Sequence, residues 1–302
     1  MMRSALTWIA FSSIAITAFS GCNVPGFSAK QDFSQTIPVN SKVEVDATTF
    51  NGNITVSPNE SSEIELVAHM KAYGASQAEA DKMVEELKPT IDTSTSVVTI
   101  KCNKRSNSLM TMDSVQLELK VPATWPLRLT TSNGTIKTKD SLAAIVAKTS
   151  NGQIEVLNST GSLELATSNG RITVDGMTGP IDAHTSNGAV KILNCSLEGK
   201  CHVHTSNGTI EVGLNDNQSI KVDASTSNGT IRCDDDRMSF SKQKKTHIAG
   251  TWESRSESKK ATSSSLELET SNGSITIKAA EPRSNTSDTP TIDEASQPKE
   301  AA

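Results

Sequence analysis

The stretch Thr167-Ser168-Asn169-Gly170-Arg171-Ile172-Thr173-Val174 decides the fold. Its Thr-Ser-Asn-Gly quartet occurs seven times, with asparagines at Asn133, Asn151, Asn169, Asn187, Asn207, Asn228 and Asn272, and each copy runs into an Ile-x-Val-like triplet. The first four copies are 18 residues apart, the next intervals being 20, 21 and 44. A short fixed period marks a repeat architecture, in which each unit buries its apolar face only by stacking on its neighbours. Residues two apart on a strand share a face. Leu163, Leu165 and Thr167 therefore point one way, the phase slips at Asn169-Gly170, and Ile172 and Val174 resume it. Aligning the copies gives two internal columns: Ile136, Ile154, Ile172, Val190, Ile210, Ile231, Ile275, and Leu129, Ala147, Leu165, Ala183, Val203, Ala224, Leu268.

Two architectures fit this pattern. In a row of hairpins each Asn-Gly would be a tight turn pairing Thr167 with Ile172. In a parallel β-helix each strand pairs with its copy one coil later. Near-identity of the copies favours the helix, because stacked asparagines hydrogen-bond up a ladder whereas hairpins gain nothing from repeating Ser and Thr. The Asn-Gly step is expected to need positive φ at the glycine. The seven asparagines form the expected structural turn ladder.

Outside the array, Arg3 followed by the apolar run Ala5 to Phe19 reads as a signal segment, too short to span a bilayer. It ends in Phe19-Ser20-Gly21-Cys22, which resembles a lipobox and makes Cys22 the expected lipidation site. Ordinary cleavage near Gly21 is the alternative. The expected organisation is a signal peptide over 1–21, a tether over 22–35, an N-terminal β region over 36–126, regular coils over 127–278 interrupted by an insertion at 234–264, and a disordered tail over 279–302. Asn51-Gly52-Asn53-Ile54 is a degenerate early repeat. One helix is predicted over 76–88: Ser76 and Glu79 form a capping box, Ala80, Met83, Val84 and Leu87 follow at helical spacing, and Pro89 stops the run. It is expected to cover the start of the stack, where an open strand would invite edge-to-edge association.

Composition narrows the partners. The 302 residues carry a formal net charge of −5 and only 3% aromatics. No basic stripe marks a nucleic-acid surface, and stacking platforms for sugars or bases are scarce. Cys102, Cys195, Cys201 and Cys233 contain no C-x-x-C pair, so a zinc cage is not expected; they read as small core residues, with disulfides permitted in an oxidising compartment.

Taken in order, the lipobox, the early Asn-Gly strand, the short helix, the Val121-Pro122 step and the tandem Thr-Ser-Asn-Gly-x-Ile-x-Val coils resemble the bacterial putative-adhesin family of surface β-strand-repeat domains. Those domains are related to the head GIN domain putative auto-transporter adhesins. The resemblance covers about residues 36 to 278. It implies an all-β, right-handed parallel β-helix of about 18-residue coils with one short N-terminal helix, and a location in the bacterial cell envelope. It brings no catalytic residues with it.

Outward columns are where a site could lie. One contains Asp182 and His202, the next His184 and His204, and stacking brings these four together. Imidazoles with a carboxylate suit zinc, copper or nickel; the competing reading is a solvated polar face, and no cofactor is expected. A second outward column, Lys137, Glu155, Thr173, Lys191, Glu211, Arg232 and Thr276, alternates in sign and predicts cross-strand ion pairs. Asp234-Asp235-Asp236 is the one acid cluster that could serve a polysaccharide-active enzyme. The expected function is a non-enzymatic, lipid-anchored envelope element, an adhesin or structural rod. Its partners would be the membrane, through the anchor, and an envelope or extracellular protein or glycan. A β-helix enzyme and an envelope-stress signalling accessory are the alternatives. Asn23 after Cys22 points to outer-membrane sorting in a two-membrane host.

Overall fold

The computed structural model describes residues 26–39, 43–104, 112–255 and 263–280. The expected signal peptide, Cys22 and the tail from residue 281 lie outside the described residues. Among these the chain is almost wholly β, with one helix and two twelve-stranded sheets. Each repeat contributes one strand to each sheet: Leu163–Asn169 lies in the second sheet, Ile172–Asp175 in the first, and Ile181–Asn187 returns to the second.

Stacking is parallel. Leu165 pairs with Ala147 on one side and Ala183 on the other, and Ile172 with Ile154 and Val190. The Asn-Gly steps are therefore corners between sheets, not hairpin turns. Both internal columns are buried, the second entirely so. In spatial order that second column reads Ala47, Leu129, Ala147, Leu165, Ala183, Val203, Leu268, Ala224, large and small side chains alternating except at Val203–Leu268. Strands in a sheet lie only ~4.8 Å apart, so a large residue packs best between two small ones.

Spatial order departs from chain order at both ends. Ser265–Asn272 does not follow Ile220–Asn228; it inserts between that strand and Lys200–Asn207. Its continuation Ile275–Ala279 likewise lies between Ile210–Leu214 and Ile231–Arg232. At the other end Glu44–Thr48 sits between Val97–Lys101 and Leu127–Asn133, and Ile54–Asn59 between Ser114–Pro122 and Ile136–Lys139. The first and the last coil of the chain are thus each held between two neighbours. Terminal segments fray unless tied down, and here both are locked inside the stack. The expected neighbours Asn207 and Asn228 are separated by Asn272, and Arg232 is separated from Glu211 by Thr276.

Each end is covered. Residues 27–35, expected as tether, instead form the strand Phe27–Pro38, antiparallel to Glu63–Gly74. Its alternation is weak because only Ala29 and Ile37 are buried. The helix, Gln77–Glu85, packs on these two strands through Ala80 and Val84. Ser76 Oγ accepts from Glu79 N at 3.2 Å, and Glu79 Oε2 accepts from Ala75 N at 2.8 Å. At the far end two strands within the expected insertion, Met238–Lys244 and His247–Trp252, make a hairpin laid antiparallel on Ile220–Asn228. Its outer strand carries Lys242 and Lys244, charges that discourage pairing with another sheet.

Candidate functional site

The quartet explains itself one residue at a time. Threonine is buried, and its hydroxyl donates to the glycine carbonyl of the adjacent coil, as Thr167 Oγ1 does to Gly152 O at 3.0 Å. Serine is largely exposed. The asparagine amides form a continuous ladder: Asn151 donates to Asn133 (2.8 Å), Asn169 to Asn151, Asn187 to Asn169 and Asn207 to Asn187 (2.9 Å each), Asn272 to Asn207 (2.8 Å) and Asn228 to Asn272 (3.0 Å). All seven expected asparagines belong to it, and Asn51 extends it.

The glycine is required for another reason than the one expected. None of the quartet glycines has positive φ. A Cβ at Gly170 would instead lie 1.7 Å from the carbonyl oxygen of Gly152. Positive φ occurs just after the first-sheet strands at Asp140, Asn158 and Gly176, and at the irregularity within Val190–Leu197 at Asn194, with φ of 54°, 49°, 74° and 53°. That corner has its own polar contacts, Asn158 Nδ2 donating to Asp140 Oδ1 and Asn194 Nδ2 to Asp175 Oδ1. The signal was present in the sequence as Asp, Asn, Gly, Asn at 18-residue spacing, the residue types that tolerate the left-handed region.

Outward residues of the first sheet form the expected ion pairs in part. Lys137 meets Glu155 at 3.1 Å and Lys191 meets Glu211 at 2.9 Å. Lys278, brought alongside by the inserted coil, takes the place expected of Arg232 and reaches Glu211 at 3.0 Å. Hydrogen bonds from Lys191 and then Lys278 hold the Glu211 carboxyl below its ordinary range.

The second sheet's outer face gathers the histidines. Asp182 pairs in register with His202 and His184 with His204, as the repeat alignment predicts. His184 Nε2 lies 2.6 Å from Asp182 Oδ1, and His202 Nδ1 lies 3.6 Å from the same oxygen. The rings of His184 and His202 meet edge to face with centroids 5.0 Å apart. Beyond them the neighbour is Glu269, because the inserted coil places Glu267 and Glu269 where chain order would put Asp223 and Ser225. Glu269 Oε2 stands 3.6 Å from His204 Nδ1 and 3.9 Å from His202 Nε2. Farther along, His247 on the hairpin faces Asp223 at 3.1 Å. Repeat alignment missed Glu269 in this group. The 44-residue gap before Asn272 was the available signal, whereas the large-small alternation of the core column is unbroken in chain order and pointed the other way.

Two members of the acid triplet are engaged by arginines. Asp235 is bonded by Arg237 through Nε at 2.7 Å and Nη2 at 2.6 Å, and Asp236 by Arg255 at 3.2 Å. Arg237 is buried, also contacts Asp216, and lies over the Trp252 ring at 4.2 Å. Its hydrogen bonds pull the Asp235 carboxyl down to about 2. The cysteines are core residues. Cys195 Sγ donates to Leu193 O at 3.0 Å, and burial raises the thiols of Cys201, Cys233 and Cys102, the last to about 12. Among the described residues no helix is long and apolar enough to cross a membrane.

Comparison with known proteins gives a family and distant structural likenesses. The family model described as Toastrack DUF4097 matches residues 12–278. A putative cell adhesion protein from Clostridium sporogenes ATCC 15579 is similar at 14% identity and a TM-score of 0.42, over 83% of this chain and 99% of that one. A putative adhesin from Parabacteroides distasonis ATCC 8503 is similar at 12% identity and a TM-score of 0.41, over 82% and 97%. One from Bacteroides fragilis NCTC 9343 is similar at 11% identity and a TM-score of 0.38, over 82% and 97%. No curated protein matches the chain.

Proposed function

This chain belongs to the Toastrack DUF4097 family, and from that premise we propose that it is a non-enzymatic binding or structural element of the bacterial cell envelope. In this reading the stack is a right-handed solenoid of about 18-residue coils. Cys22 is lipidated and anchors it, and the two flat outer faces meet an envelope protein, an extracellular protein or a glycan. Several acyl chains on one cysteine would hold it stably, each buried methylene contributing ~0.8 kcal/mol.

The observation that supports the non-enzymatic reading is the pairing of two of the three acids at 234–236 with arginines. A general acid needs a carboxyl that keeps its proton near neutrality. Asp235 is held at about 2 with both oxygens on Arg237, and Asp236 is paired to Arg255. These groups pin the end hairpin to the stack.

The test is expression of wild type and Cys22→Ser in a bacterial host, with lipid labelling, fractionation and recovery of bound envelope components. Wild type is expected in the membrane fraction carrying label and Cys22→Ser in the unlabelled soluble fraction. Purified protein is expected to leave acidic polysaccharides intact. Depolymerisation that disappears in Asp235→Asn would replace this reading with the enzymatic one.

A further inference from the structure

We propose that Asp182, His184 and His202 form a surface site for a late first-row divalent metal ion of the Zn2+ type, with Glu269 orienting His202 from behind. One ligand atom from each of the three residues lies within 4.8 Å of the others. Tetrahedral zinc with bonds near 2.0–2.1 Å needs its donors roughly 3.3 Å apart. The side chains are half-exposed and stand on adjacent, fully paired strands. Small χ rotations that open the 2.6 Å His184–Asp182 pair and shorten the longer separations would reach that geometry without moving the backbone.

The donor set selects the ion. Two imidazoles and one carboxylate suit Zn2+, Ni2+ or Cu2+, whereas Ca2+ and Mg2+ require mostly oxygen. The fourth position opens to solvent, so the site is exchangeable and not a folding staple. His202 is placed as a ligand commonly is: Nδ1 faces Asp182 while Nε2 faces Glu269. At 3.9 Å the contact is an ion-pair separation beyond hydrogen-bond reach; a χ rotation that shortened it would supply the carboxylate that fixes a ligand ring and raises its basicity. That carboxylate comes from the coil inserted between Lys200–Asn207 and Ile220–Asn228, so the site depends on the out-of-order stacking. His204 is drawn toward Glu269 and lies at the margin of the set.

The experiment is calorimetric titration of the full chain with ZnCl2, repeated with MgCl2 and CaCl2, alongside circular dichroism of every variant. Wild type is expected to take up one Zn2+ per chain and to ignore Mg2+ and Ca2+. The double variant His184→Ala/His202→Ala should lose uptake while keeping the wild-type spectrum. Glu269→Gln, which keeps the fold and all three ligands, should bind about tenfold or more weakly. His247→Ala, on the same face but outside the site, should bind as wild type does. No Zn2+ uptake by wild type, equal uptake by the double variant, or equal uptake of Ca2+ would each overturn the proposal.

Discussion

Asn207 and Asn272, 65 positions apart in the chain, are joined by a direct side-chain hydrogen bond of 2.8 Å. Asn228, far nearer in sequence to Asn207, reaches the ladder only through Asn272. The last coil in sequence is thus an interior coil, and the coil before it, with its hairpin, lies outside it.

This makes Leu268 a keystone of the second column. It is fully buried between Val203 and Ala224. Leu268→Ala should cost about 2–5 kcal/mol, the range for a large-to-small change in a close-packed core. Ile231→Ala, in the outermost coil and partly open at 8% exposure, should cost less. Denaturant midpoints of the two variants against wild type check the order.

Within one coil, asparagine and glycine should behave very differently. Asn169→Ala removes two exposed amide hydrogen bonds, to Asn151 and from Asn187, and should cost about 1 kcal/mol. Gly170→Ala adds one methyl, but its Cβ meets the Gly152 carbonyl and the two coils must part. That change should cost about 3 kcal/mol or more. Equal effects in chemical denaturation would contradict close coil approach as the reason for glycine.

The large-small alternation predicts a penalty for filling a small site. Ala183 lies between Leu165 and Val203 with no exposed surface. Ala183→Leu should destabilise by about 1–3 kcal/mol through overpacking despite adding apolar surface. A neutral or stabilising result by thermal melting would show that the column has room.

Asp235 carries a pH signature. Its folded pKa is lowered from 3.8 to about 2, first by the hydrogen bond from Arg237. A lowered carboxyl binds its proton less readily when folded, so its stabilisation is complete above 3.8 and is lost as pH falls toward about 2. Asp235→Asn should be less stable than wild type at neutral pH, and the gap should narrow through that window. A gap independent of pH would show that the pair contributes nothing through ionisation.

The parallel stack, its two core columns and the asparagine ladder were legible because each quartet repeats the same chemistry: a buried Thr, a laddered Asn, a Gly at the contact. That same uniformity hid the order of the coils. Asn207 can pair with Asn228 or Asn272 through identical groups, so the motif does not choose. The core residues that differ between copies did not reveal it either, since Val203, Ala224, Leu268 alternates large and small in chain order and the observed order sets Val203 beside Leu268. The strand Phe27–Pro38 was missed because it is an edge strand with few buried residues, and its pairing with Glu63–Gly74 is fixed by tertiary contact. At the histidine face, register brought Asp182, His184, His202 and His204 together as the alignment implies. Glu269 was hidden because it arrives through the inserted coil.

Cross-linking tests the central claim, parallel stacking with the last coil inserted, most directly. Cysteines would replace His204 and Glu269 in one protein, Glu269 and Ser225 in a second, and His204 and Ser225 in a third. The first two pairs are in-register neighbours, at a strand spacing of ~4.8 Å that a disulfide spans, whereas two spacings exceed its ~7 Å reach. Oxidation followed by mass spectrometry should find the His204→Cys/Glu269→Cys and Glu269→Cys/Ser225→Cys links and no His204→Cys/Ser225→Cys link. The Glu269→Cys/Ser225→Cys link forms in either order and serves as the control; a ready His204→Cys/Ser225→Cys link, with no His204→Cys/Glu269→Cys link, would mean that the coils stack in chain order and would contradict the account.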